Sequence, residues 1–414
     1  MTSVVLIGTC DTKLDELLFL RDAIHNSNPA TQVSLIDVGR QPVEHEAIFT
    51  TQKELLKEYG QVRKVDKLPR GEVIKFMAEC ATKLVKKLFE GRRIHGIISA
   101  GGSGGTSLAS IVMREALPIG FPKLIVSTVA SGETGTIVAE TDITLMYSVV
   151  DVAGLNQVLR NVLSNAGAAM AGMAAAYASR MKSQSSSTKK RVAITMFGVT
   201  TPAVDVIRKH LEYNYNIETY VFHATGHGGK AMERLIREGG LDAVLDLTTT
   251  EICDHLTGGV MSAGPARLDA ALEAGIPSII SVGATDMTNF GPKATVPEKY
   301  QDRLLYEHNP MVTLMRTSKE EAAAVGEFIT RKVKSSMERG IMTEVWLPKG
   351  GISMISVPDG PFADPEADSA LFETIKKGLA DTAVRVVEDE RAINDPDFAH
   401  DIAEALVAQM DLSN

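Results

Sequence analysis

Short runs of β-branched and apolar residues alternate along this chain with longer segments in which apolar positions recur every three or four residues. In the first half the short runs are Val4 to Gly8, Val33 to Asp37, His95 to Ser99 and Leu124 to Thr128. In the second half they are Val192 to Met196, Thr219 to Phe222, Ala243 to Leu247 and Ser278 to Val282. Each leads through a turn rich in Gly, Thr or Asp into a helical pattern, which is the grammar of βαβ units around a parallel sheet. The polar stretch Ser183 to Arg191 reads as a linker, dividing the chain into a lobe over 1–182 and a lobe over 192–414. The predicted fold class is therefore α/β, with two Rossmann-like lobes, each a mainly parallel sheet with flanking helices. The opening units match in length, and Ile119 to Ser127 echoes Ala274 to Ser281. Either duplication or the common grammar of α/β proteins accounts for that.

The final hundred residues or so read as helices that complete the second lobe. Ser318 with Glu321 forms a capping-box pattern, and Asp364-Pro365 and Asp395-Pro396 each place a cap before a proline. The helix expected over Asp151 to Met181 carries Gly167, Ala171, Gly172 and Ala176, small enough for close approach to the other lobe or to a twin subunit.

Charge narrows the function classes. With 43 basic and 52 acidic residues the net charge is −9, the wrong sign for general binding to a nucleic-acid backbone, although a local anion pocket stays open. The 3 cysteines, Cys10, Cys80 and Cys253, lie far apart with no CxxC, against a disulfide scaffold or a structural zinc site. Met1 to Gly8 reads as a first strand and not a leader, and Asn161 to Ser179 falls short of a membrane span. A cytoplasmic protein without membrane contact is expected.

In an open parallel sheet, ligands sit beyond the carboxyl ends of the strands. The strongest signal there is Ser99-Ala100-Gly101-Gly102-Ser103-Gly104-Gly105-Thr106-Ser107, between a strand and a helix. Gly101, Gly102, Gly104 and Gly105 allow backbone N–H groups to crowd around a phosphate, and Ser103 and Thr106 add hydroxyls. The run is neither a Walker loop nor GxGxxG. Neighbouring turns add Thr9, Asp11 and Lys13 after the first strand, Asp37 and Arg40 after the second, and Thr128, Ser131 and Gly132 after the fourth. Asp37 is the candidate ribose ligand, and Arg40 a phosphate or base partner.

The second lobe gathers different chemistry. His223 and His227 follow one strand, Glu251 the next and Asp286 the last, with His308 and Arg316 beyond. His223, Glu251, Asp286 and His308 are candidate acid, base or orienting groups, and Arg316 could hold a carboxylate or phosphate. A metal on His223, His227, Glu251 and His308 would need them to converge in space.

The words Gly101 to Thr106, Ser127 to Gly132, Met146 to Asp151, Thr195 to Pro202, Phe222 to Gly226 and Leu245 to Glu251 resemble a widespread bacterial and plant family. It is the family that includes the ATP-binding N-terminal region of the tomato mosaic virus resistance protein. The resemblance implies a two-lobed protein that binds ATP with a magnesium ion, as a homodimer. The plant member uses this region to bind a viral replication protein, while a stand-alone bacterial form implies a metabolic role. Two functional readings follow. One is an enzyme that holds ATP on the first lobe and a small carboxylated or phosphorylated metabolite between the lobes. The other is a nucleotide-dependent interaction module without turnover.

Overall fold

The computed structural model describes residues 2–60, 65–183, 188–336 and 343–412. The chain divides into two compact units, Met1–Ser186 and Ser187–Asn414. Of the stretch expected as a linker, residues 184–187 lie outside the described residues. Its ends belong to regular structure: a helix runs to Ser183 and a strand opens at Lys190. Arg191 stays in that strand because its backbone N–H and its guanidinium both donate to Asp242, at 2.8 and 3.0 Å.

The first unit runs β1 (Thr2–Gly8), α1 (Cys10–Ser27), β2 (Thr31–Asp37), β3 (Ile48–Thr50), α2 (Gln52–Tyr59), α3 (Arg70–Glu90), β4 (Gly96–Gly101), α4 (Ser103–Ala116), β5 (Lys123–Ser127), α5 (Gly135–Val138), β6 (Thr144–Tyr147) and α6 (Gln157–Ser183). Its six strands are all parallel, in the order β3-β2-β1-β4-β5-β6. Alternate residues of β1 feed two cores. Val5 and Ile7 pack with α3 and α4, whereas Val4 and Leu6 pack with α1 and α6. Gly167 and Ala171 are buried within this unit, and a side chain at Gly167 would begin 2.8 Å from the Cβ of Ala23 on α1, whereas Gly172 and Ala176 are exposed.

The second unit continues with β7 (Lys190–Met196), α7 (Thr201–Asn214), β8 (Ile217–His223), α8 (His227–Arg237), β9 (Ala243–Thr248), α9 (Glu251–Thr257), α10 (Asp269–Ala274) and β10 (Ser278–Gly283). Then come β11 (Met287–Phe290), β12 (Leu305–Asn309), β13 (Val312–Arg316), α11 (Lys319–Ser336), β14 (Thr343–Pro348), α12 (Pro365–Leu379), β15 (Arg385–Asp389) and α13 (Pro396–Gln409). The main sheet, again wholly parallel, has the order β15-β14-β10-β9-β7-β8. All eight strands expected from the sequence are present, so the α/β class with two mainly parallel sheets holds.

The tail departs from expectation. Beyond its helices it supplies β14 and β15, and β11, β13 and β12 form a separate antiparallel sheet. These strands are short, and their polar positions read as turns until tertiary pairing satisfies their backbone groups. The expected caps are realised. Ser318 and Glu321 exchange both capping-box bonds, while Asp364 and Asp395 accept from Ala367 and Asp397 N–H. Among the described residues no helix is long and apolar enough to cross a membrane.

Candidate functional site

The order of the first sheet reverses between β1 and β4, and the crevice beyond their carboxyl ends is where such folds take ligands. A cavity of about 590 Å³ opens there. Thr9, Asp11, Thr12 and Lys13 line it from the start of α1, Val38 and Arg40 from the turn after β2, and Arg70, Val73 and Ile74 from the first turns of α3. Gly101 to Gly105 and Leu108 form the wall around the start of α4, with Thr128 and Asp151 completing it.

The start of α4 has no side-chain cap. Gly102 is its N-cap, and the first helical bond is Thr106 N–H to the Gly102 carbonyl at 2.9 Å. Among the described residues the N–H groups of Ser103, Gly104 and Gly105 therefore have no protein acceptor. They stand at the positive end of a 14-residue helix, facing the cavity. Arg70 lies over this turn, since a side chain at Gly104 would begin 3.3 Å from its guanidinium. Among the described residues the side chains of Arg70 and Lys13 have no hydrogen-bond or ion-pair partner. Lys13 and Arg70 share this cavity with Arg40 and with the carboxylates of Asp11 and Asp151.

The acidic residues divide. Asp11 joins the β1 and β2 turns, its Oδ2 accepting from the N–H groups of Arg40 and Gln41 at 3.0 Å each, while its Oδ1 is buried with no partner. Asp37, nominated for a ribose, instead turns inward. It is 0% exposed, does not line the cavity, and its Oδ1 accepts from Cys10 and Gly39 N–H at 3.1 and 2.8 Å. Burial raises its pKa above the usual carboxylate value. Burial also raises the Cys10 thiol, with Asp37 beside it, so Cys10 stays protonated.

Other expectations shift as well. Thr106 points away from the cavity and shares a 2.7 Å hydroxyl bond with buried Ser127. Ser131 and Gly132 belong to an exposed turn outside the cavity lining. Sequence reading did not single out Arg70, Thr12 or Asp151 as ligand residues. Arg70 belongs to a helix far along the chain from both turns it faces, and only its place in the first turn of an amphipathic helix could have drawn attention.

The second unit holds its four candidates in different surroundings. His223 is exposed at the end of β8 and stacks on Phe197 at 5.6 Å, and His308 is exposed on β12. Glu251 is 0% exposed, and its Oε1 accepts from Gly226 and Gly229 N–H at 2.7 and 3.0 Å. Its Oε2 meets the Arg267 guanidinium at 2.8 Å, and Arg267 is held in turn by Asp246 and Glu233. Asp286 is wholly buried, accepts from Ser353 Oγ at 2.8 Å, and is pushed up to about 7 by burial. Arg316, expected to hold a ligand, pairs with Asp368 at 2.6 Å and donates to the Phe362 carbonyl at 2.9 Å. Among the described residues no two of His223, Glu251, Asp286 and His308 share a bond, and no three His, Cys, Asp or Glu side chains cluster as a metal would require. Nothing in the sequence marks Arg267 beyond a single positive charge in an Ala- and Leu-rich stretch.

Two family descriptions match consecutive parts of the chain: the N-terminal domain of the uncharacterised protein family UPF0261 over residues 2–179, and its C-terminal domain over 189–410. A UPF0261 protein of Clostridium tetani is 42% identical over 415 residues, covering 99% of each chain. The ToMV resistance protein Tm-1(GCR237) of Solanum lycopersicum is 40% identical over 426 residues, covering 98% of this chain and 55% of the tomato protein. The chain thus spans about half the length of that tomato relative. Among solved structures, UDP-GlcNAc 2-epimerase from Neisseria meningitidis bound to UDP-GlcNAc aligns over 91% of this chain and 100% of its own, at 8% identity and a TM-score of 0.21. A score that low bears on neither fold nor function. With both domain descriptions matched and relatives aligned from end to end, the chain belongs to the UPF0261 family.

Proposed function

We propose that the first unit binds ATP, with its phosphates on the N-terminal turn of α4. One observation carries this reading: three free N–H groups, from Ser103 to Gly105, face a cavity that also holds the unpartnered cations Lys13 and Arg70. Backbone N–H groups at a helix start bind phosphate oxygens directly, and the helix dipole favours the negative charge. Arg70 would close on the same phosphate from the opposite side. A magnesium ion on the phosphates fits the remaining acids, since such ions take one or two carboxylates and keep several waters. Asp11 and Asp151, which both line the cavity, are the residues that would hold it.

The test is calorimetric titration of the full chain with ATP and magnesium. Gly104→Asp would set a carboxylate against Arg70 and the phosphate, and we expect affinity to fall at least about tenfold. Unchanged affinity in a variant that melts like the parent would overturn the reading.

Of the two functional readings, a nucleotide-dependent interaction module is favoured over an enzyme acting on a small carboxylated or phosphorylated metabolite. Glu251 and Arg316 are bound up in buried ion pairs, and Asp286 is sealed from solvent. Turnover of ATP or a metabolite that His223→Ala abolishes would restore the enzyme.

A further inference from the structure

We propose that Asp37 and Gln52 are positioning residues of this cavity: neither lines it, and together they preset the turn that carries Arg40 onto its wall. The inference rests on the phosphate-binding reading above and adds to it residues that act on a ligand without touching it.

Every backbone N–H of the turn from Val38 to Gln41 has an acceptor, and the acceptors come from separate elements. Val38 donates to the Gly8 carbonyl at the end of β1, at 2.9 Å. Gly39 donates to Asp37 Oδ1 at 2.8 Å, and Arg40 and Gln41 both donate to Asp11 Oδ2 of α1 at 3.0 Å. Gln52, buried in the first turn of α2, holds the carbonyl side, its Nε2 donating to the Gly39 and Arg40 oxygens at 3.2 and 2.7 Å. Glycine at 39 lets both carboxylates in, since a Cβ there would lie 2.6 Å from Asp11 Oδ1 and 3.0 Å from Asp37 Oδ1. The same Asp37 oxygen accepts from Cys10 N–H at 3.1 Å, which ties the start of α1 to this turn. Arg40 is the exposed side chain that leaves the turn, lining the cavity and donating to the Leu68 carbonyl at 3.1 Å, two residues before Arg70. A surface turn without such partners would sample many conformations, and holding one in advance spares a ligand the cost of ordering it. A buried amide and a buried carboxylate that fix the backbone beneath one cavity side chain therefore set affinity from outside the cavity.

The experiment is a double-mutant cycle, read by calorimetric titration of the full chain with ATP and magnesium at fixed salt, on the parent, Gln52→Met, Arg40→Gln and the pair. Methionine is close to glutamine in size and has no N–H to donate. Arg40→Gln is expected to weaken ATP about tenfold. Gln52→Met should weaken it about fivefold in the parent, yet by less than about twofold once Arg40 is gone. Asp37→Ala should lose as much as Gln52→Met, and Asp37→Asn, whose side-chain oxygen still accepts both N–H groups, should bind within about twofold of the parent. Should Asp37→Ala fail to fold, the Gln52 cycle and Asp37→Asn still decide. A role in stability alone would lower melting temperatures without this dependence on Arg40. Full ATP affinity in Gln52→Met or in Arg40→Gln, or the same loss from Gln52→Met with and without Arg40, overturns the inference while leaving ATP binding intact. So does a loss in Asp37→Asn as large as that in Asp37→Ala. A parent that binds no ATP rejects the phosphate site itself, and this inference with it.

Discussion

Both units place a glycine-rich turn before a helix at the carboxyl edge of a parallel sheet, and they use it in opposite ways. In the first unit the turn Gly101 to Gly105 opens α4 onto a cavity, and its N–H groups have no protein acceptor among the described residues. In the second, the turn Gly226 to Gly229 opens α8, and the anion position is filled from within. Glu251 reaches over from α9 so closely that a side chain at Gly229 would begin 2.0 Å from its Oε2. Arg267 then neutralises it. The same local chemistry, helix N–H groups seeking a negative oxygen, leaves those groups open to a cavity where nothing in the protein answers and makes a structural clasp where a carboxylate does. Glycine richness alone does not tell the two apart.

Removing the clasp's cation should have the largest effect. Arg267→Met leaves Glu251, Asp246 and Glu233 without their shared buried partner, and breaking such a group costs about 3–5 kcal/mol. Urea unfolding should show the loss in the second unit, while ATP affinity of the first stays unchanged.

Glu251→Ala sharpens the comparison further. It strips two N–H groups and Arg267 of an acceptor, so we expect a loss of about 2–3 kcal/mol. It should also turn the clasp into a site, with acetate or phosphate raising its melting temperature more than that of the parent. An equal response in both proteins would break the analogy between the turns.

The units should differ in pH response as well. Burial pushes Asp254 and Asp286 of the second unit up to about 7 from an ordinary 3.8. The folded unit therefore holds protons that the unfolded chain releases near pH 4. The stabilisation this gives is complete below about pH 4, declines as pH rises, and is gone above about pH 7. Asp286→Asn should flatten the fall in urea midpoint between pH 5 and pH 8, and a parallel fall in both proteins would contradict the assignment.

The smallest effect concerns the edge of the open cavity. Val149, two residues before Asp151, is 59% exposed with φ at +66°, a costly conformation for a β-branched side chain. Val149→Gly should stabilise the first unit by about 0.5–1 kcal/mol, the relief of strain being partly offset by chain entropy. A lower melting temperature would show that the valine side chain supports the turn.

Much of this was legible in the residues. Eight strands of the two main sheets, the caps at Ser318, Asp364 and Asp395, and the open glycine-rich turn Gly101 to Gly105 all arise from neighbours in sequence, where periodicity and backbone preference act. Thr9, Asp11 and Arg40 line one cavity because turns at one sheet edge share a position fixed by topology. Beyond that, side-chain direction was decided by packing. Asp37, Thr106 and Glu251 occupy places where a ligand residue could stand, and each faces inward, because a partner from a distant segment satisfies it there. Arg70 and Arg267 show the converse, two arginines without a motif that became decisive by proximity. The sequence by itself determined two parallel α/β units and a glycine-rich strand-to-helix turn in each. Only the tertiary structure decided which glycine turn stays open and which is closed, because that depends on whether the fold brings a buried carboxylate within hydrogen-bonding distance of the helix start.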